Sequence, residues 1–327
     1  MKVVVMHSAD ALEPPVDPVL EQLRSAIEAC DHSVQPLAVD DSVEPLVDAL
    51  KSGPPDLVFN LAESFGGKSA LESNVAALLN LLGLRYTGSS PAGLLLAGDK
   101  TLTKKVLSFH GILTPEFATL FRGALDWAGD IAFPLIVKPP QEDASLGISS
   151  NSVVNDLREL FTRIDELQSA FQQPVLVEQF VEGREFYVGV LGNANAKALP
   201  VMELDFSRFP AGVPRIASWE AKWGDDGAGS GEQFAGTRSV FPLDVSKELS
   251  ERMQRVAVEA FNALRLRDYA RIDLRVTDND DIYVIEVNPN CYLERESEFA
   301  RAAAEGGLAY DALIARILEL ALARYSR

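Results

Sequence analysis

The segment ARIDLRVTDNDDIYVIEVNPN, residues 270–290, constrains the fold more than any other part of the chain. Two apolar runs flank the polar stretch TDNDD, with Asn279-Asp280 at its centre, which predicts a β-hairpin with a two-residue tip. That register sets Asp273 opposite Glu286 and Arg271 opposite Asn288. Side chains alternate between the faces of a strand, so these four polar groups share one face. Ile272, Leu274, Ile285 and Val287 then form a core face, and Ile282 and Val284 fall on the polar side. Opposed residues bring their Cβ atoms to about 4.5–5.5 Å. Two carboxylates held that close repel each other unless a cation lies between them. The donors Asp273, Glu286 and Asn288 are hard oxygens, which favours Mg²⁺ or Mn²⁺ over Zn²⁺. Magnesium takes its remaining ligands from phosphates and water, so such a site implies a phosphate-bearing substrate. The plainer alternative is a sheet face that turns its charges to water.

The rest of the chain bounds the architecture. Its 327 residues suffice for two or three domains. A start of MKVVVMHSAD is too short an apolar run for a signal peptide, and no run reaches the roughly 18 residues of a membrane span. Two cysteines, Cys30 and Cys291, do not make a disulfide scaffold, so a cytoplasmic location is expected. A net charge of −18 argues against nucleic-acid or anionic-membrane partners, although local lysines can still hold an anionic ligand. Residues 1–95 alternate strand (2–6, 56–61) and helix (18–30, 70–83) signals, which predicts a small α/β domain with a parallel sheet. Residues 96–180 predict a central lobe with a helix over 99–111, a strand over 134–140 and another over 174–183. Residues 181–327 predict an α+β lobe with a sheet and helices at 246–265 and 308–325.

Several loops carry chemistry-bearing residues. Lys138 ends the run PLIV and either snorkels to the surface or reaches a phosphate. The loop that follows, QEDASLGISS, exposes backbone N–H groups that can cradle phosphate oxygens, although no Walker A motif is present. Glu178 and Glu185 flank QFVEGR, either facing water or lining a nucleotide slot walled by Phe180 and Val181. The stretch WGDDGAGSGEQFAG, residues 223–236, suits a surface loop or a lid.

In this order, the segments LLGLRYTGSSP, GDKTLTKKVLSFHGILTPEF, PLIVKPPQEDASLGIS, VLVEQFVEGREFYVGVLGN, WEAKW and RIDLRVTDNDDIYVIEVNPN resemble the ATP-grasp superfamily, and most closely the D-alanine–D-alanine ligases. They span about two thirds of the chain. The resemblance implies an ATP-grasp fold whose two lobes sandwich the nucleotide. It implies ATP phosphate contacts from Lys100 and Lys138 and a flap at residues 142–149 with Ser145 catalytic. Glu178, Gln179, Phe180 and Val181 are implied at adenine, and Glu185 at the ribose. Lys222 becomes a further nucleotide contact of catalytic weight. Asp273, Glu286 and Asn288 are implied as magnesium ligands, Arg271 as the stabiliser of the tetrahedral intermediate, and Ser297 as the acceptor-carboxylate contact. The implied activity is an ATP- and Mg²⁺-dependent carboxylate–amine ligase acting on small molecules through an acyl phosphate, as a homodimer. Cys291 needs no catalytic role and is expected to be a buried structural thiol.

Departures from the family pattern fall at the amino-acid sites. HSADALEPPVDP keeps Glu13 but not the family's glycines; Ala144 replaces the first flap serine; Trp223 replaces the tyrosine after the lid lysine. Neither Ala nor Trp offers a hydroxyl. LAESFGG stands where the family has His-Gly, and PNCYLERESEF replaces a Pro-Gly-Met turn. Sites built for polar partners discriminate strongly, so these changes imply altered substrates. Two alternatives are a D-alanine–D-alanine ligase that binds its substrate by other residues, and a nucleotide-binding protein without ligase activity.

Overall fold

The computed structural model describes residues 1–9, 16–121, 124–128, 131–141, 146–171, 174–209, 212–217 and 237–325, with backbone alone at 121 and 124–128. Strands β1 (Lys2–Ser8), β2 (Ser33–Val39) and β3 (Leu57–Leu61) form a parallel sheet in the order β2-β1-β3. Parallel neighbours need crossover connections, here α1 (Pro18–Glu28) and α2 (Val43–Ser52). Asp17 starts α1 by accepting the Val19 N–H at 2.9 Å, with Pro18 in the first turn where its missing N–H costs nothing. Next come α3 (Glu72–Leu81), α4 (Pro91–Ala97) and α5 (Lys100–Phe109). Asp99 caps α5 through the Thr101 and Leu102 N–H groups, and Gly111 leaves it at φ 71°.

Strands β4 (Phe117–Phe121), β5 (Ala124–Ala128), β6 (Leu135–Lys138), β7 (Val153–Val154) and β8 (Val175–Gln179) form an antiparallel sheet in the order β5-β4-β8-β6-β7. Helix α6 (Leu157–Phe171) covers it through Ile164 and Leu167. A third sheet runs β12-β11-β9-β13-β14 with β10 on β9; its strands are β9 (Arg184–Gly192), β10 (Lys197–Ala198), β11 (Met202–Asp205), β12 (Arg238–Val240), β13 (Asp268–Val276) and β14 (Ile282–Pro289). Helix α7 (Lys247–Ala263) packs Met253, Ala257 and Phe261 on one face of this sheet. Helices α8 (Glu298–Glu305) and α9 (Tyr310–Ala323) share a second core with Tyr187 and Tyr269 of that sheet and with Val3, Val5 and Phe59 of the first.

Helix α5 belongs to two neighbourhoods. Its Leu107 is buried in the α7 core of the third sheet, and its Lys100 reaches the same sheet, while its Lys104 reaches the second. The Lys100 N–H donates to the Pro140 carbonyl at 2.9 Å, and the Gln141 amide reaches Asp99 at 3.0 Å. The helix start is thereby fixed to the residues just after Lys138.

The hairpin forms with one correction to the expected register. Arg271 pairs with Asn288, Ile272 with Val287 and Asp273 with Glu286, as the sequence predicts. A β-bulge follows Asp273, so Leu274 pairs with Val284 and Val276 with Ile282. The connection is therefore residues 277–281, not a two-residue tip, with Asp280 at φ 63°. An extra residue reverses the alternation beyond it. Val284 and Ile282 join Ile272, Leu274 and Val287 in the core, whereas Ile285, expected there, is half-buried and outside it.

Candidate active site

Three charged groupings make up the site, two of them reached by lysines of α5. The first is on the hairpin. Arg271 grips Asp273 with both arms, Nε to Oδ1 at 2.7 Å and Nη2 to Oδ2 at 2.9 Å. The Asn288 amide donates to the same Oδ2 at 3.1 Å. Glu286, opposite Asp273 in the ladder, receives Lys100 Nζ at 2.8 Å. The Tyr187 ring on β9 lies 4.7 Å from the Arg271 guanidinium carbon and backs it as a cation–π platform. Burial opposes the Arg271 charge, but Asp273 more than compensates and holds its pKa well above the ordinary arginine value. The four polar groups predicted to share a face do so, with Lys100 added from α5.

The second grouping sits on the second sheet. Glu178 is 1% exposed, far from the wet face that strand carboxylates usually occupy. Lys138 Nζ and Lys104 Nζ each lie 3.0 Å from one of its oxygens. The Lys104 contact is one of charge and not an aligned hydrogen bond; that ammonium donates instead to Thr114 Oγ1 at 2.8 Å. Burial lowers the Lys104 pKa to about 8 against the raising effect of Glu178. Burial raises the Glu178 pKa, yet the two lysines outweigh it and leave the carboxyl below its usual range. Beyond Glu178, the Gln179 and Phe180 N–H groups are taken by the Glu116 and Pro134 carbonyls at 2.8 and 2.9 Å, and Val181 is buried.

The third grouping starts at the turn into β9. Gly183 has φ 151°, and a Cβ there would stand 2.1 Å from the Val276 carbonyl oxygen, so only glycine fits this approach. Two residues on, Glu185 Oε2 receives Arg275 Nη2 at 2.7 Å and Oε1 receives the Tyr187 hydroxyl at 3.2 Å. Arg275 also lies 5.8 Å from the centre of the Phe180 ring, which links this grouping to the strand end at Gln179.

Ser297 stands apart: it precedes α8, and its hydroxyl donates to the Tyr292 carbonyl at 3.1 Å. The next residue, Glu298, reaches Arg271 Nη1 at 3.4 Å and accepts the Ser239 hydroxyl at 2.9 Å. Ser145, Lys222, Glu13, Ala144, Trp223 and the segment 223–236 lie outside the described residues. Cys291 is buried as expected, and burial drives its thiol pKa strongly upward, which makes it a poor nucleophile.

Sequence reasoning missed Lys104, Arg275, Tyr187 and Glu298. Two of these had a readable signal. Lys104 is four residues from Lys100 on one helix and so shares its face. Arg275 continues the alternation of Arg271 and Asp273 along β13, just past a bulge whose extra residue lies on β14. Tyr187 carries no pattern of its own and is found only by contact; Glu298 stands out in the sequence only as an added charge beside Ser297, and its link to Arg271 appears only in the fold.

Asp273, Glu286 and Asn288 offer hard oxygen donors on one face, with cationic partners already beside both acids. An ionised carboxylate has about four acceptor positions, so Asp273 can keep Arg271 and still ligate an ion. The donor set fits a magnesium-sized cation. Among the described residues, no helix is long and apolar enough to cross a membrane.

Comparison with known proteins places these groupings in context. Residues 108–319 match the family described as "D-ala D-ala ligase C-terminus". A D-alanine–D-alanine ligase of Syntrophotalea carbinolica is 34% identical over 254 residues, 77% of this chain and 75% of that one. An uncharacterised protein of Sinorhizobium fredii is 31% identical over 320 residues, 95% of this chain and 89% of its own. The structure of a D-alanine–D-alanine ligase from Bacillus anthracis complexed with ATP superposes with a TM-score of 0.73 at 23% identity, covering 98% of this chain and 97% of that one.

Proposed function

Because the chain belongs to the D-alanine–D-alanine ligase family of ATP-dependent ligases, we propose that it joins a small carboxylate to an amine through an acyl phosphate, with substrates other than two D-alanines. The supporting observation is the hairpin face, where Arg271, Asp273, Asn288 and Glu286 meet Lys100. Lys100 and Lys138 bind the ATP phosphates, whose oxygens replace Glu286 and Glu178 as the lysines' partners or share them. Gln179, Phe180 and Val181 line the adenine slot beside Glu178. Glu185 takes the ribose hydroxyls, held in place by Arg275 and Tyr187. Asp273, Glu286 and Asn288 hold magnesium, which supplies charge screening for the phosphates. Lys222 and Ser145 are assigned to the nucleotide and to the flap by resemblance.

Chemistry of this kind needs positioning and electrostatics more than a covalent nucleophile. The substrate carboxylate attacks the γ-phosphate. The acceptor then adds to the acyl phosphate, and Arg271 stabilises the oxygen that becomes anionic. Ala144, Trp223 and the lost glycines near Glu13 remove the hydroxyl and turn chemistry through which the family holds its amino acid, which is the ground for changed substrates. Ser297 remains as the acceptor contact. A cytoplasmic homodimer completes the reading, and the two free cysteines suit a reducing compartment.

Phosphate release tests this directly. With Mg²⁺-ATP and a panel of D-alanine, L-alanine, glycine, β-alanine and D-lactate, release should require an added acid and be faster with another member than with D-alanine alone. Acid-independent release, or none, would contradict ligation. D-alanine alone as the best substrate would restore the ordinary family activity.

A further inference from the structure

We propose that Glu298 is the catalytic residue that receives the acceptor amine, binding its ammonium group and taking the proton that must leave before nitrogen attacks. This inference rests on the acyl-phosphate reading and concerns only its second step. Arg271 commits Nε and one Nη2 donor to Asp273 at 2.7 and 2.9 Å, so Nη1 is the nitrogen with no bond to Asp273, and the developing oxyanion is placed there. Glu298 Oε2 lies 3.4 Å from that Nη1. A nucleophile approaching a carbonyl whose oxygen rests on Nη1 therefore passes beside Glu298.

Glu298 differs from the other acids of the site. Asp273, Glu178 and Glu185 have side chains no more than 5% exposed, each within 3.0 Å of a cation. Lys100 holds Glu286 at 2.8 Å. The Glu298 side chain is 29% exposed, close to the 27% of Glu286; Arg271 Nη1 lies 3.4 Å from one of its oxygens, and the Ser239 hydroxyl donates to the other at 2.9 Å. Among the described residues, Arg271 on β13 and Ser239 on β12 contact it, and Tyr187 on β9 and the Cys291 thiol feel its charge. It directly follows Ser297, to which the resemblance assigns the acceptor.

An amine at neutral pH is an ammonium ion with no free electron pair. A carboxylate at this place both attracts it and removes its proton. Two protons leave the nitrogen: the first passes from the ammonium to the Glu298 carboxylate and frees the pair that forms the C–N bond, and the second goes to the departing phosphate as the C–O bond to it breaks. Inorganic phosphate leaves with that electron pair, and Glu298 returns its proton to solvent. In this chain the family's Ser and Tyr hydroxyls give way to Ala144 and Trp223, so an acid at position 298 supplies a proton acceptor of different chemistry.

The test separates this step from the first. Hydroxylamine is largely unprotonated at neutral pH and traps acyl phosphates as hydroxamates without a base. Glu298→Gln keeps the side chain's shape and an acceptor for Ser239. With the best acid and amine of the panel above, the variant should form hydroxamate at the wild-type rate yet lose amide formation by about 10²–10⁴-fold. Equal losses of hydroxamate and amide would show that Glu298 only props Arg271, and unchanged amide formation would remove its role; either overturns the proposal. Absence of hydroxamate with the wild-type enzyme would instead overturn the acyl-phosphate reading, and this proposal with it.

Discussion

Replacing Arg271 with alanine is expected to lower turnover by about 10²–10³-fold, corresponding to the roughly 2.7–4 kcal/mol that a single oxyanion donor contributes. The same change leaves Asp273, 3% exposed, without its two-armed partner. Breaking a buried ion pair from one side costs about 3–5 kcal/mol of stability. The two effects separate in the double variant Arg271→Met with Asp273→Asn, which removes both charges together. Its resistance to urea should recover most of the loss, because no buried charge is then stranded, while turnover stays low. Recovery of turnover in the double variant would show that Arg271 acts on the fold and not on the reaction.

Glu178→Ala should be the most destabilising single change at the site. It strands two ammonium groups, Lys104 and Lys138, with side chains 2% and 8% exposed. The expected loss is about 3–5 kcal/mol, read from urea unfolding at pH 7. Its pH dependence has a definite sign. The folded chain releases the Lys104 proton near pH 8, against 10.5 for the unexposed-to-charge reference lysine of the unfolded chain. Between those values the unfolded chain holds more protons, so the Lys104 contribution to stability rises with pH across that window. Glu178 works in the opposite range: its folded pKa is depressed, so its stabilisation is present above 4.5 and lost as pH falls through the lower folded value. Glu178 raises the Lys104 pKa, so without it Lys104 sheds its proton below pH 8, and the deficit of the variant should shrink as pH rises to 8 and change little above it. A deficit that grows with pH would contradict the assignment of charge to this trio.

Much of the site was legible in the sequence because a hairpin obeys a strict alternation. Once Asp273 and Glu286 are opposed, Arg271 and Asn288 follow, and the structure pairs all four as expected. The bulge after Asp273 was not legible. It is one extra residue in an otherwise regular apolar run, and a run that reads YVIEV gives no local signal for where alternation breaks. Hence Val284 and Ile285 exchanged faces, while Arg271, Asp273, Glu286 and Asn288, on the side of the bulge away from the turn, did not. The burial of Glu178 was hidden for another reason. A carboxylate enters a core only when cations enter with it, and here those come from a helix more than 70 residues earlier and from a neighbouring strand, at Lys104 and Lys138. The parallel first sheet was partly visible: the two apolar strands were readable, but SVQPLAV carries a proline and mostly exposed side chains, as an edge strand allows.

Helix α5 explains how one fold couples these parts. Its Lys100 meets the hairpin acid Glu286 and its Lys104 meets Glu178 on the second sheet, so two successive turns of one helix connect both walls of the site. Any anion that binds Lys100 and Lys138 competes with carboxylates from both sheets. On the proposed reading, nucleotide binding is linked to the ion pairs that tie α5 to the second and third sheets.

The central claim is that the hairpin acids hold a divalent ion together with a nucleotide. Electron paramagnetic resonance of Mn²⁺, titrated into the protein with and without a non-hydrolysable ATP analogue, reads this most directly. The account predicts tight, nucleotide-dependent Mn²⁺ binding that Glu286→Gln abolishes while circular dichroism remains unchanged. Equal Mn²⁺ binding by the wild-type and variant proteins, or none in the presence of the analogue, would contradict it.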